Sequence, residues 1–242
     1  MVGTGKEKQI HMERFTEEIR ARFLKVSPAA IGHQISNGFM DAEIKPVTDE
    51  MKVAGPAYTV RLTERDSSAL YYALQKAPEG SVIVIDRAGD HTFACVGEFL
   101  AEMAKGCGMA GIVVDGPATD KLALKKSGFP VFCTGFSPVT SMVTGTSGEV
   151  EVDIQCGGAV VRTGDIILGD ADGVIVVPED FMPYLEEAEV KEAGEIQRRE
   201  ELRRGMIYRR REDFDAVRFF EYGVNEAIAR VKQDECGYDK EQ

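Results

Sequence analysis

Ser81-Val82-Ile83-Val84-Ile85-Asp86 is a continuous apolar run, β-branched throughout its centre. A strand that shows no polar alternation is covered on both faces, the habit of parallel sheets packed between other layers. Its neighbours repeat the theme at short spacing. Val53–Leu62 reads as a strand, with Tyr58, Val60 and Leu62 alternating with Thr59 and Arg61. A helix through Ala69–Ala77, capped by Ser67 or Ser68, leads to the turn Pro78-Glu79-Gly80. Glu98–Lys105 reads as helix stopped by Gly106 and Gly108, and Ala110–Val114 as the next buried strand. Leu122–Ser127 is a short helix stopped by Gly128, followed by the strand Pro130–Cys133. Strand and helix in strict alternation imply parallel crossover units.

The flanks differ. Glu13–Leu24 places Phe15, Ile19 and Phe23 on one helical face. Ser27 before Pro28 predicts an N-cap and a second helix to about Ile35. Gly148–Pro178 is glycine-rich with short β runs, which predicts β-turn-β structure with tight turns at Gly157-Gly158 and Gly164-Asp165. From Glu179 the pattern is helical and charged, with a further helix-like segment around Phe219–Val231. The expectation is one α/β domain over residues 1–242, with a core of about 19–178 and a helical extension over about 179–242.

The 242 residues carry a formal net charge of -12, which disfavours direct nucleic-acid binding through a broad basic face. Cys95, Cys107, Cys133, Cys156 and Cys236 form no CxxC pair and read as small buried hydrophobes of a reducing compartment. The N-terminal residues lack a signal-peptide hydrophobic region, and no apolar run reaches the roughly 20 residues of a membrane span. A cytoplasmic location without membrane contact is the expectation. No GxGxxG opens a helix after a strand, and no Walker motif, zinc spacing or GxSxG elbow is present.

Chemistry concentrates between Val96 and Asp120. Gly97-Glu98 opens one helix, and Asp115-Gly116-Pro117-Ala118-Thr119-Asp120 closes the following strand. Turns that combine free backbone N–H groups with carboxylates hold small anions and hard divalent cations. Each group has a plainer reading. Asp120 suits the cap of the helix after it. Glu98 suits a first-turn acid favoured by the helix dipole, or a carboxylate that moves a proton. Asp115 suits a turn or a support for the site, and Arg87, Asp90 and His91 share one loop.

The order of segments adds a resemblance. GPAYTV, PEGSVIVID, GEFL, GIVVDGPATD, GFPVF and VDIQCGGAVVRTGDIILGDADGVIVVP follow one another as in the RraA-like family, over about Ile19–Pro178. That family includes 4-hydroxy-4-methyl-2-oxoglutarate aldolases that also decarboxylate oxaloacetate, and regulators of ribonuclease E activity. The resemblance implies an α/β, three-layer β/β/α swivelling-domain fold, with helical N- and C-terminal extensions here, assembled as homotrimers or hexamers. It implies a divalent-metal-dependent lyase, using Mg²⁺ or Mn²⁺, that releases pyruvate from a small 2-oxo acid at a site between subunits. In that pattern the backbone of Gly97, Glu98, Phe99 and Leu100 holds the substrate, Glu98 serves catalysis, and Asp120 holds the metal. A carboxylate from a neighbouring C-terminal region can reach such sites, and Glu200 or Glu201 could play that part. The sequence departs from the pattern at one place: Thr119 stands where the family's substrate-binding and catalytic arginine belongs. Threonine offers a hydroxyl and no charge, so Lys121, Arg87 and His91 are candidate replacement cations. A non-catalytic regulatory oligomer, or a related enzyme with a changed substrate, is the alternative.

Overall fold

The computed structural model describes residues 14–178 and 180–203. The chain divides into two compact units, Met1–Ala193 and Gly194–Gln242. The segment around Phe219–Val231 and Cys236 lie outside the described residues.

In the first unit the elements are α1 (Glu17–Phe23), α2 (Pro28–Gly32), β1 (Lys45–Pro46), β2 (Val53–Arg61), α3 (Ser68–Lys76) and β3 (Val82–Asp86). There follow α4 (Glu98–Gly106), β4 (Gly111–Asp115), β5 (Pro117–Ala118), α5 (Lys121–Ser127), β6 (Val131–Cys133) and β7 (Gly135–Phe136). The hairpin-rich part holds β8 (Glu149–Val150), β9 (Ile154–Cys156), β10 (Ala159–Val161), β11 (Ile166–Asp170) and β12 (Gly173–Val177). Helix α6 (Phe181–Arg203) continues into the second unit. There Arg199 pairs with Glu195 at 3.1 Å, and Gln197 donates to Glu201 at 3.2 Å.

The main sheet runs in the order β1-β6-β4-β3-β2-β11-β12. β2, β3, β4 and β6 are mutually parallel, as the alternation required. β2 shares its other edge: Val53–Pro56 pairs antiparallel with β11, and Val60–Arg61 with β8. The ends of the sheet nearly meet. Residues 38–40 pair with β12, through Val176 N–H to Gly38 C=O at 2.7 Å and Met40 N–H to Val174 C=O at 3.1 Å. A few residues later the same segment forms β1 against β6.

Period-2 alternation sorts the sheet's side chains into two buried sets. Tyr58, Val60, Leu62, Ile83, Ile85, Ile112 and Val114 pack with Leu70, Leu74, Leu100, Ala104 and Leu124 of helices α3, α4 and α5. Ala57, Val82, Val84, Val113 and Phe132 face Ile154, Cys156, Ala159 and Val161 of the β9–β10 hairpin. Hairpin, sheet and helices are therefore the three layers. The expected alternation of Thr59 with apolar neighbours is present, but Thr59 is not solvated: its Oγ1 lies 2.7 Å from that of Thr163 and donates to Val152 C=O. A third cluster joins Phe23, Ile31, Ile166, Leu168, Phe181 and Leu185, so α1, α2 and the start of α6 cover β11 and β12.

Local chemistry corrects several boundaries. α1 starts at Glu17 because Thr16 caps it, accepting from Ile19 N–H at 3.3 Å. Phe15 stays outside the helix yet packs on Phe23 and Phe181. Ser27 caps α2 as expected, but the helix ends at Gly32 rather than near Ile35. Ser67 takes the cap position of α3 without a side-chain cap bond. The capping carboxylate is that of Asp66, which accepts from Ser68 N–H at 2.9 Å and Ser68 Oγ at 2.6 Å. Asp66 also accepts the amides of Thr144, Thr146 and Ser147, and so anchors the loop before β8.

These bonds, led by the Ser68 hydroxyl, hold the Asp66 carboxyl well below the usual carboxylate range. A depressed folded-state value means the contribution is fully present above the unfolded value of about 4. It declines as pH falls below that value toward the folded one. Urea unfolding of wild type and Asp66→Asn is expected to show a constant stability gap from pH 7 to about 4 and a narrowing gap at pH 3. A gap of the same size at pH 3 would mean that charge plays no part in the anchor. Phe132→Ala, between sheet and hairpin, is expected to cost about 3–5 kcal/mol in the same assay.

Candidate functional site

In a sheet covered on both faces, the loops leaving the strand ends are free to carry chemistry. β3 and β4 run in register, so Asp86 and Asp115 stand side by side at their C-terminal ends. The two carboxylates turn to the hairpin. Asp115 Oδ2 accepts Gly157 N–H at 2.8 Å, and Asp86 receives Ala88 N–H at 2.6 Å and Arg61 Nε at 3.3 Å. Asp115 therefore pins the β9–β10 turn, where Gly157 and Gly158 have φ of 52° and 76°.

Beyond those ends the chain builds a second, smaller strip of pairing. Val96 lies beside Ala118, and Thr119 N–H donates to Val96 C=O at 2.8 Å. β5 pairs with β7, and Ala94 lies beside Thr140. This strip sets Gly97 directly against Thr119 and Asp120. A Cβ on Gly97 would stand 2.5 Å from Asp120 Oδ2 and 2.8 Å from Thr119 Cγ2. Space demands the glycine here, since its φ of −134° is ordinary extended backbone.

Asp120 Oδ2 accepts Glu98 N–H, the first amide of α4, at 3.1 Å. The amides of Phe99 and Leu100 also precede the first intrahelical bond, Ala101 N–H to Gly97 C=O at 3.0 Å. Asp120 itself is left-handed, with φ 52° and ψ 40°, a conformation Asp tolerates better than most residues. Its side chain makes no cap bond to its own helix α5. The plain reading of a cap is thus right in kind and wrong in target, because the carboxylate serves the neighbouring helix. Glu98 and Asp120 are exposed and Thr119 is half-buried. Phe99 at 71% and Leu122 at 75% exposure leave an apolar rim around these polar groups.

The three candidate cations lie in different settings. His91 is exposed. Lys121 Nζ lies 5.0 Å over the Phe136 ring. Arg87 is 1% exposed and pairs with Asp90 and the Glu64 carbonyl. Sequence reasoning overlooked Gly116, whose missing side chain makes room for Arg87: a Cβ there would stand 2.8 Å from Arg87 Cγ. A glycine between the strand-end Asp115 and Pro117 was the available signal. Burial pushes the Cys95 thiol up to about 12, against the pull of the Arg87 charge. Cys133 and Cys156 are likewise buried and raised, and Cys107 is half-buried, which fits packing rather than reactivity.

Among the described residues no group of three or more His, Cys, Asp or Glu is placed to hold a metal. The donor set at Asp120 fits a different mode, a Mg²⁺-like ion held through one or two carboxylates and otherwise by water and substrate oxygens. Asp120 keeps one carboxylate oxygen clear of the Glu98 amide, and Glu98 is exposed beside it. No described helix is long and apolar enough to cross a membrane.

Fold and site together define an α/β protein of β/β/α layering with an amide-and-carboxylate turn beyond its parallel strand ends. The chain belongs to the RraA-like family, whose model, described as Aldolase/RraA, matches residues 26–176. A protein of Halalkalibacterium halodurans named "Putative 4-hydroxy-4-methyl-2-oxoglutarate aldolase" is 46% identical over 140 residues, 58% of this chain. The match spans 66% of that relative's own length. Protein DlpA of Legionella pneumophila is 33% identical over 67% of this chain but only 27% of its own. The crystal structure of Streptomyces coelicolor RraAS2, titled an unusual member of the RNase ES inhibitor RraA protein family, superposes with a TM-score of 0.62 at 28% identity. It covers 78% of this chain and 96% of that one.

Two substitutions separate capping from charge. Asp120→Ala loses the cap and is expected to destabilise by about 1 kcal/mol. Asp120→Asn keeps an acceptor and tolerates the left-handed backbone, so its loss is expected to stay within about 0.5 kcal/mol. Equal losses in chemical denaturation would contradict the cap across to α4.

Proposed function

We propose that this chain is a divalent-metal-dependent lyase that breaks a carbon–carbon bond in a small 2-oxo acid and releases pyruvate. Oxaloacetate and 4-hydroxy-4-methyl-2-oxoglutarate are the substrates it would take. The observation that supports the reading is the convergence of the α4 amides with Asp120, 3.1 Å from the Glu98 N–H, across a glycine that only an absent side chain permits.

The amides of Phe99 and Leu100 would bind the carboxylate of the pyruvyl part, as helix N-termini do for anions. Asp120 would hold Mg²⁺ or Mn²⁺, which as a Lewis acid favours negative charge on the substrate's keto oxygen. The Thr119 hydroxyl would donate toward that oxygen at half-buried depth. When the bond breaks, its electron pair moves toward the keto oxygen and leaves the enolate of pyruvate; carbon dioxide departs from oxaloacetate, or a second pyruvate from 4-hydroxy-4-methyl-2-oxoglutarate as its hydroxyl gives up a proton, and a proton must then reach the enolate carbon. The Glu98 carboxylate, directly or through water, would move it. The exposed Phe99 and Leu122 suggest that a second copy covers the site, so a homo-oligomer, a trimer or hexamer as in the family, belongs to the proposal.

A second reading is a regulatory oligomer without turnover. Thr119 supports it, because losing one charge-stabilising donor can lower a rate about 10²–10³-fold. A coupled assay for pyruvate from oxaloacetate separates the two. Release above the buffer-and-metal background is expected with Mg²⁺ or Mn²⁺, falling at least about 10²-fold in Asp120→Asn, which keeps the fold. Turnover that is indifferent to Asp120→Asn would remove the lyase reading. No turnover together with a stable complex on a bait from source lysate would favour the regulator. Thr119→Arg is expected to raise oxaloacetate decarboxylation about tenfold or more. No gain would mean that this residue tunes the substrate instead of limiting the rate.

A further inference from the structure

Arg87 heads the fully buried side chains by volume. Only one corner of its guanidinium is engaged: Nη2 donates to the Glu64 carbonyl at 3.0 Å and to Asp90 Oδ2. Nε and Nη1 are buried and find no acceptor among the described residues. Idle donors on a buried cation are costly, so a brace for loops would be better made by a neutral side chain. The partner carboxylate does not cancel the charge fully. Asp90 is 23% exposed, and its oxygens also accept the amides of Thr92 at 2.8 Å and Phe93 at 3.4 Å. Its negative charge is spread and partly solvated, whereas the idle edge of the guanidinium is dry.

The stem of Arg87 lies against Gly116, in the turn that leads from β4 to the site's strip. Arg87 Cγ packs where a Gly116 side chain would be, and its charge is felt at the Cys95 thiol. Gly97 and Asp120 each stand two residues beyond parts of this strip, Gly97 after Cys95 and Asp120 after Ala118, or roughly 7 Å of extended chain. The exposed cations on these loops are held less firmly than Arg87. Lys121 rests on Phe136, and Arg65 rests on Phe93 and donates to the Thr140 carbonyl.

We propose that Arg87 is the fixed positive charge of this site, a positioning residue that acts from beneath segments 94–97 and 116–120 on the anion at the α4 amides, in place of a cation at position 119. Fixed charge in a dry, preorganised setting favours both a bound carboxylate and charge growing on a substrate oxygen. The inference rests on the lyase reading for its substrate, but not for its test.

The experiment compares wild type, Arg87→Met, Arg87→Lys, Thr119→Arg and the double variant Arg87→Met/Thr119→Arg. Three quantities are read: oxalate affinity by calorimetry with Mg²⁺, kcat and KM for oxaloacetate, and melting temperature. Arg87→Met is expected to weaken oxalate binding at least about tenfold and to lower kcat about 10–10²-fold in folded protein. Arg87→Lys keeps charge and is expected to lose less. The deciding result is coupling: Thr119→Arg is expected to improve oxalate affinity at least about tenfold more in the Arg87→Met background than in wild type. Additive effects, or equal losses in Met and Lys variants, would show a brace and overturn the proposal. Failure of wild type to bind oxalate would overturn it too. If Arg87→Met does not fold, Arg87→Met/Asp90→Asn removes the buried pair together, and Arg87→Lys decides if that fails as well. Absence of turnover in wild type alongside an oxalate affinity that depends on Arg87 would remove the lyase reading and leave this inference standing.

Discussion

The parallel ladder of β2, β3 and β4 is buried on both faces, and that burial dictates where everything else can go. Helices occupy one side and the β9–β10 hairpin the other. Polar groups in the middle of such a sheet must be satisfied inside it, as Thr59 and Thr163 are by each other. Charge gathers instead at the strand ends. Asp86 and Asp115 sit at those ends in register, and the loops beyond them bring Gly97, Thr119 and Asp120 together. The location of the candidate site thus follows from packing before any chemistry is considered.

Two groups of carboxylates do different work around this edge. Asp66, Asp86 and Asp115 spend their oxygens on backbone amides and arginine, and hold loops and the hairpin in place. Asp120 and Glu98 remain exposed, with only one oxygen of Asp120 committed to an amide. An acidic chain therefore need not be an acidic site. Most of these strand-end acids are consumed by architecture, and the few left over are those free to meet an ion or a proton.

Much of the layering was legible in the sequence. The unbroken run at Ser81–Asp86 announced a sheet with two covered faces, and the glycine-rich segment announced the hairpins. Element ends were less legible where a cap belonged to a residue outside the local pattern, as with Asp66 in place of Ser67. The site was legible as two turns but not as one place. Nothing in the spacing of Gly97 and Asp120 says that they touch, because the contact depends on Val96 pairing with Ala118 across 22 positions of chain. The depth of Arg87 was equally hidden. An arginine beside a strand end reads as surface, and only the small Gly116 opposite lets it turn inward.

The left-handed Asp120 has a consequence for comparing relatives. Its backbone admits few residue types, and its carboxylate closes the first amide of another element, so an aspartate is useful here even in a chain that catalyses nothing. A descendant that had abandoned turnover would still be under pressure to retain it for shape. The presence of this acid alone is therefore a poor diagnostic of a living enzyme.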